Sequence, residues 1–272
     1  MDLKPTSKLA FGDGDLMAYD YMWDKKSIQT NQNFKGQFNL KMEDKTLSMN
    51  LWMKGAENRE IFSALSPRST ALGDGIISKE LESLPIPTMV VRQDGEAWDR
   101  PFVAVYEPSL NGESAIEKVD YFGNGESVGI QVKAKNGQED FIFSNTQSQV
   151  SFEHNSMKVQ GTYAVISKEK QQLKSLFLAD GTAIESDGYA IKSAAKTTFG
   201  FTFIEGQWAY MAKDAVMLES PLTAKIQKLK IASANGEKEV TGKVKKVNQQ
   251  KVLVFELPKS DAYTTLALIM NK

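Results

Sequence analysis

Three features of this chain predict an all-β protein, a large antiparallel β-sandwich with a small C-terminal β unit. Apolar residues recur at every second position through much of its length, as in Phe38-Asn39-Leu40-Lys41-Met42 and Val128-Gly129-Ile130-Gln131-Val132, the period of strands that bury one face. Asn-Gly and Asp-Gly pairs punctuate these runs at Asn111-Gly112, Asn124-Gly125, Asn136-Gly137, Asp180-Gly181 and Asp187-Gly188, and such pairs tolerate the positive φ of tight hairpin turns. Helical periodicity is scarce, with Ser78-Lys79-Glu80-Leu81-Glu82 the best candidate for a short turn.

Residues 1 to about 30 read as an irregular, packed lead-in with an aromatic cluster of Tyr19, Tyr21 and Trp23. The first hairpin turns at Glu43-Asp44-Lys45. Phe38, Leu40, Met42, Leu47, Met49, Leu51 and Met53 form its core face, and Ser48, Asn50 and Trp52 its polar face. Ile61 and Phe62 begin another strand. Thr88–Arg92 and Phe102–Tyr106 then flank a long loop that holds Asp94-Gly95 and carries Arg92, Glu96, Trp98, Asp99 and Arg100, a strand–loop–strand hairpin at the centre of the sequence. Strands are predicted over 115–121, 127–134, 139–144, 150–154, 157–166, 173–178, 189–191 and 197–204. Near Ser220-Pro221 the composition turns lysine-rich, and about four strands follow, beginning with the alternation of Lys225–Ile231. The expected domains are therefore residues 1–219, the sandwich, and 220–272, the small β unit.

Lys+Arg 33 against Asp+Glu 34 leaves a net charge of -1. That argues against nucleic acid as a partner, since neutralising phosphates takes a basic excess. Cysteine is absent, which removes disulfides, thiolate metal sites and a cysteine nucleophile together. No apolar core follows the charges of the first residues, and no stretch approaches the roughly 18 apolar residues of a membrane span. Neither a signal peptide nor a membrane span is expected in this chain.

Little catalytic chemistry is legible. His154 is the only histidine, so a triad or a histidine-based metal site would rest on it alone. Its setting, a strand running into Asn155-Ser156, reads as a surface turn. Gly123-Asn124-Gly125-Glu126-Ser127-Val128-Gly129 misses a dinucleotide fingerprint by one residue and joins two strands. Asp13-Gly14-Asp15 begins like a calcium loop and fails at Met17 and Ala18. No metal, cofactor or catalytic residue is therefore assigned. The remaining signal is aromatic residues in polar company. In the central loop Trp98 with Arg92 and Arg100 would suit a saccharide, while the same three residues would also make a cation–π contact and a salt bridge that pin the loop.

The runs LSMNLWMKG, IFSALSPRSTAL, LPIPTMVVRQDGEAWDRPFVAVYEPS, VDYFG and GTYAVIS, over residues 45–166 with the last run ending at Ser167, resemble the C-terminal β-sandwich region of heparinase II/III-like polysaccharide lyases. The resemblance implies a chain from a family that cleaves uronate-containing glycans by β-elimination, with an α-helical toroid, as a domain or a partner chain, ahead of the sandwich. It also implies a periplasmic or extracellular location and an acidic polysaccharide as partner. The catalytic tyrosine and histidine of that family lie chiefly in the toroid, and a further histidine, sometimes a zinc ligand, lies early in its β region. This chain begins after those positions, so none carries over and the isolated chain is expected to be inactive. Arg92, Trp98 and Arg100 are its candidate glycan contacts. The alternative is a stand-alone carbohydrate-binding or docking domain without activity.

Overall fold

A computed structural model of the protein describes residues 3–6, 22–66, 84–96, 99–204, 207–221, 226–233, 236–247 and 250–270. The helical turn expected at Ser78–Glu82, the calcium-like stretch and Trp98 lie outside them. The fold is all-β, with large antiparallel sheets in a sandwich-like arrangement and no helix among the described residues. The chain divides into two compact units, Met1–Ser114 and Ala115–Lys272.

The first unit holds β1 (Lys4–Pro5), β2 (Trp23–Thr30), β3 (Phe34–Met42), β4 (Lys45–Met53), β5 (Arg59–Ser66), β6 (Ile86–Arg92) and β7 (Ala104–Leu110). They form a four-stranded sheet in the order β1-β2-β5-β6 and a three-stranded sheet in the order β3-β4-β7. The expected hairpin of β3 and β4 is present. The expected central hairpin is not, because β6 pairs with β5 and β7 with β4. Its long loop, which includes Pro101, instead carries the chain from one sheet to the other.

Register in the three-stranded sheet sorts the side chains into two ladders. On one face stand Leu40, Leu47 and Leu110, then Phe38, Met49 and Pro108, then Gly36, Leu51 and Tyr106. On the other stand Asn39, Ser48 and Ser109, then Gln37, Asn50 and Glu107. Burial corrects the expected faces. Leu51 and Met53 are buried, but Leu47 and Met49 are exposed, whereas Ser48 and Asn50, expected on the wet face, are buried with Glu107. The polar ladder tolerates burial because it satisfies itself. Asn50 Nδ2 donates to Glu107 Oε2 at 3.1 Å and Ser109 Oγ at 3.2 Å, Gln37 Nε2 donates to Asn50 Oδ1 at 3.0 Å, and Ser48 Oγ donates to Asn39 Oδ1 at 2.6 Å.

The second unit contains β8 (Ile116–Asn124), β9 (Ser127–Ala134), β10 (Gln138–Asn145), β11 (Ser151–His154), β12 (Met157–Glu169), β13 (Gln172–Ser186), β14 (Tyr189–Ile204), β15 (Gln207–Ala212), β16 (Val216–Pro221), β17 (Ile226–Ser233), β18 (Gly236–Thr241), β19 (Lys243–Val247), β20 (Gln250–Leu257) and β21 (Ser260–Met270). All belong to one 14-stranded sheet. Position 219/220 falls inside β16, and β16 pairs with β20 as β15 pairs with β21.

β13 has 15 residues, which would span roughly 50 Å if straight. Yet Asp187, just past its end, lies 2.9 Å from Lys168 Nζ, and Lys168 is the partner of Leu173 at its beginning. The β12–β13 hairpin therefore folds back on itself. The bend comes at register shifts where Gly161 faces Gly181. A Cβ on Gly161 would stand 2.6 Å from Leu178 Cδ1, and one on Gly181 would collide with Gln160 O. Asp180-Gly181, expected as a hairpin turn, is thus a bulge within a continuous strand, using the same positive φ (46° at Asp180). β14 continues the bend. Its Ala190–Lys192 segment pairs with β16 and its Phe199–Ile204 segment with β15, so Ile184, Ile191 and Leu218 enter the same buried cluster as Leu176, Phe199 and Phe201.

Candidate functional site

The loop between β6 and β7 is anchored by a residue outside the sequence-derived candidate set. Arg59, at the start of β5, is 0% exposed. Its Nη1 donates to Lys54 O at 2.6 Å, its Nη2 to Arg100 O at 3.1 Å and Pro101 O at 3.2 Å, and its Nε to Gln93 Oε1 at 3.1 Å. The guanidinium also lies 4.8 Å from the centre of the Phe102 ring. Burial pushes the Arg59 pKa down, and burial followed by the Arg59 charge does the same to Lys54. One planar fork thus donates to three backbone carbonyls in irregular chain.

Arg92 ends β6, and Arg100 lies within that loop. Arg92 Nη1 lies 3.7 Å from Glu60 Oε2, and Arg100 Nη2 lies 3.6 Å from Glu57 Oε2 while its Nη1 donates to Asp94 O at 3.4 Å. Both side chains stay partly open to solvent, and these ion pairs are long. His154 is stacked on Phe122, with ring centroids 3.7 Å apart and planes within 11°, and burial lowers its pKa. Among the described residues no three histidine, aspartate or glutamate side chains are grouped to hold a metal ion.

A cleft of about 350 Å³ opens in the second unit where the folded-back ends of β13 meet. Leu173 and Lys174 come from the start of β13, Asp187 from the β13–β14 turn, Tyr189 from the start of β14, Phe203 from its end and Trp208 from β15. The aromatic residues form one assembly. Trp208 stacks on buried Phe201 at 4.2 Å and 7°, meets Phe203 edge-on at 5.4 Å, and lies 5.8 Å from Tyr189. Phe203 is 41% exposed, and Lys174 Nζ sits 5.3 Å over its ring. Lys174 also pairs with Glu169 at 2.9 Å, and Asp187 with Lys168.

Comparison with known proteins bears on this same unit. Residues 115–203 match the family model of the endo-acting ulvan lyase C-terminal domain. An endo-acting ulvan lyase from Formosa agariphila (strain DSM 15362 / KCTC 12365 / LMG 23005 / KMM 3901 / M-2Alg 35-1) is 30% identical over 157 residues, 55% of this chain and 19% of that protein. The matched part is thus about a fifth of the length of the curated relative. No solved structure matches. Of the runs carrying the sequence resemblance, VDYFG and GTYAVIS fall inside 115–203 and the others precede it.

The cleft was not legible as a group, because its residues come from β13, both ends of β14 and β15, segments that the bend brings together. A signal did exist. Phe199, Phe201 and Phe203 share one face of β14, and the last stays exposed while the other two are buried.

Proposed function

We propose that this chain is the non-catalytic β portion of a heparinase II/III-like polysaccharide lyase, supporting the catalytic part and binding an acidic glycan. The observation that carries this reading is the similarity of residues 115–203 to the C-terminal domain of an endo-acting ulvan lyase, which makes ulvan the first glycan to try. Arg92, Trp98 and Arg100 are its loop contacts in this reading. The long surface pairs of Arg92 and Arg100 with Glu60 and Glu57 are each worth about 0–1 kcal/mol, little for a uronate or sulfate to displace. A periplasmic or extracellular location follows from the resemblance.

A docking role is favoured by one further observation. Tyr106, Leu110, Leu47 and Met49 are exposed on a single face of the three-stranded sheet, and a row of that kind is costly to leave in water. In this reading the α-helical toroid, as a domain or a partner chain, covers it.

Elimination needs a base at the C5 proton and a group that neutralises the uronate carboxylate, preorganised in one cleft. His154, stacked on Phe122, is not assigned the role of base. Incubated with ulvan, heparin, heparan sulfate or alginate, the chain is expected to give no rise in the ultraviolet absorbance of unsaturated product. A protein-dependent rise overturns the reading and makes His154, Tyr106, Tyr121 and Tyr163 the residues to mutate.

A further inference from the structure

We infer that the cleft framed by Tyr189, Phe203 and Trp208 binds a neutral pyranose residue of the glycan, by ring stacking rather than by charge. The site rests on the reading of the chain as part of a polysaccharide lyase, and it can fail while that reading survives.

Size comes first. At about 350 Å³ the cleft lies at the small end of the roughly 300–1,000 Å³ typical of ligand sites, so it suits one or two sugar rings and not a long chain. The walls come next. An aromatic face carries partial negative charge and attracts the polarised C–H groups on the apolar side of a pyranose. Phe203 is 41% exposed, and Trp208 is held in place by its stack on Phe201 at 4.2 Å. A ring fixed from behind loses little conformational freedom when a ligand arrives, which favours binding.

Charge then selects the ligand class. The cleft presents one cation, Lys174, and one anion, Asp187, and each already has a partner at 2.9 Å, Glu169 and Lys168 respectively. Such a lining has no net field to draw in a carboxylate or sulfate. It does offer hydroxyls both donors and acceptors, from Lys174, Asp187 and the amides of Gln171 and Gln172. The arrangement fits an uncharged, hydroxyl-rich ring with one apolar face.

The test is isothermal titration of the whole chain with the disaccharide-to-tetrasaccharide fraction of partially hydrolysed ulvan. It is run at low salt and at about 0.5 M NaCl, where screening leaves a Debye length of roughly 4 Å. The expected result is binding that changes less than about threefold with salt and weakens about tenfold or more in Phe203→Ala. Trp208→Phe, which keeps a ring on Phe201, is expected to weaken it less, and the circular dichroism of both variants should match the parent. Three results overturn the site: no binding by the parent chain, binding unchanged in Phe203→Ala, or binding abolished by salt. If the parent chain is retained on the intact polysaccharide while any of these is seen, the cleft assignment alone is lost. If it is not retained either, the glycan-binding reading falls as well.

Discussion

Arg59 and His154 show how far residue identity alone fixes a role. Arg59 carries no motif, yet its four hydrogen bonds to Lys54, Gln93, Arg100 and Pro101 organise the loop that sequence reading singled out. Arg59→Met keeps much of the volume and removes the buried donors to three backbone carbonyls. It should cost about 3 to 5 kcal/mol, read as a shift in the urea midpoint, and a loss under about 1 kcal/mol would contradict the anchoring role. His154 stands out in the sequence as the sole histidine and is half-buried against Phe122. Burial lowers its pKa below the ordinary 6.5, so folding favours the neutral ring. Its contribution is then fully present above about pH 6.5 and is lost as pH falls through that value towards the folded pKa, where the unfolded chain binds more protons. The melting temperature of the parent chain relative to His154→Gln should decline between about pH 7 and 5. A difference independent of pH would refute this.

At the scale of elements, alternation and turn chemistry made the strands legible, and β9 and the Asp187-Gly188 turn lie where the pattern places them. Two things were hidden. One is pairing, since adjacency in sequence implied that β6 and β7 form a hairpin while each joins another neighbour. The other is the difference between a turn and a bulge, because both call for the same backbone at Asp180-Gly181. The close approach of Gly181 to Gln160 O and to the Gly161 Cα, 2.7 Å from an added Cβ, gives a direct check. Gly181→Ala should destabilise the chain by about 1 to 3 kcal/mol through overpacking. An unchanged denaturation midpoint would mean that the β12–β13 bend is looser than described.

At the scale of the whole molecule, the class was legible and the site only in part. Period-two patterning predicts an all-β chain without reference to tertiary structure, and the fold is all-β. The grouping of Lys174, Tyr189, Phe203 and Trp208 depends on a sheet folding over itself, which no local pattern encodes. The similarity to an endo-acting ulvan lyase C-terminal domain supplies the glycan to try, and the face around Tyr106 and Leu110 is exposed, as the proposed docking role requires. The central claim is that this chain holds the glycan without cutting it. Chromatography of the intact chain on immobilised ulvan at low salt tests it most directly. The account predicts retention relative to an unrelated protein of similar size and charge, with the eluted polysaccharide uncut. Elution in the void volume, or release of unsaturated fragments from the column, would contradict it.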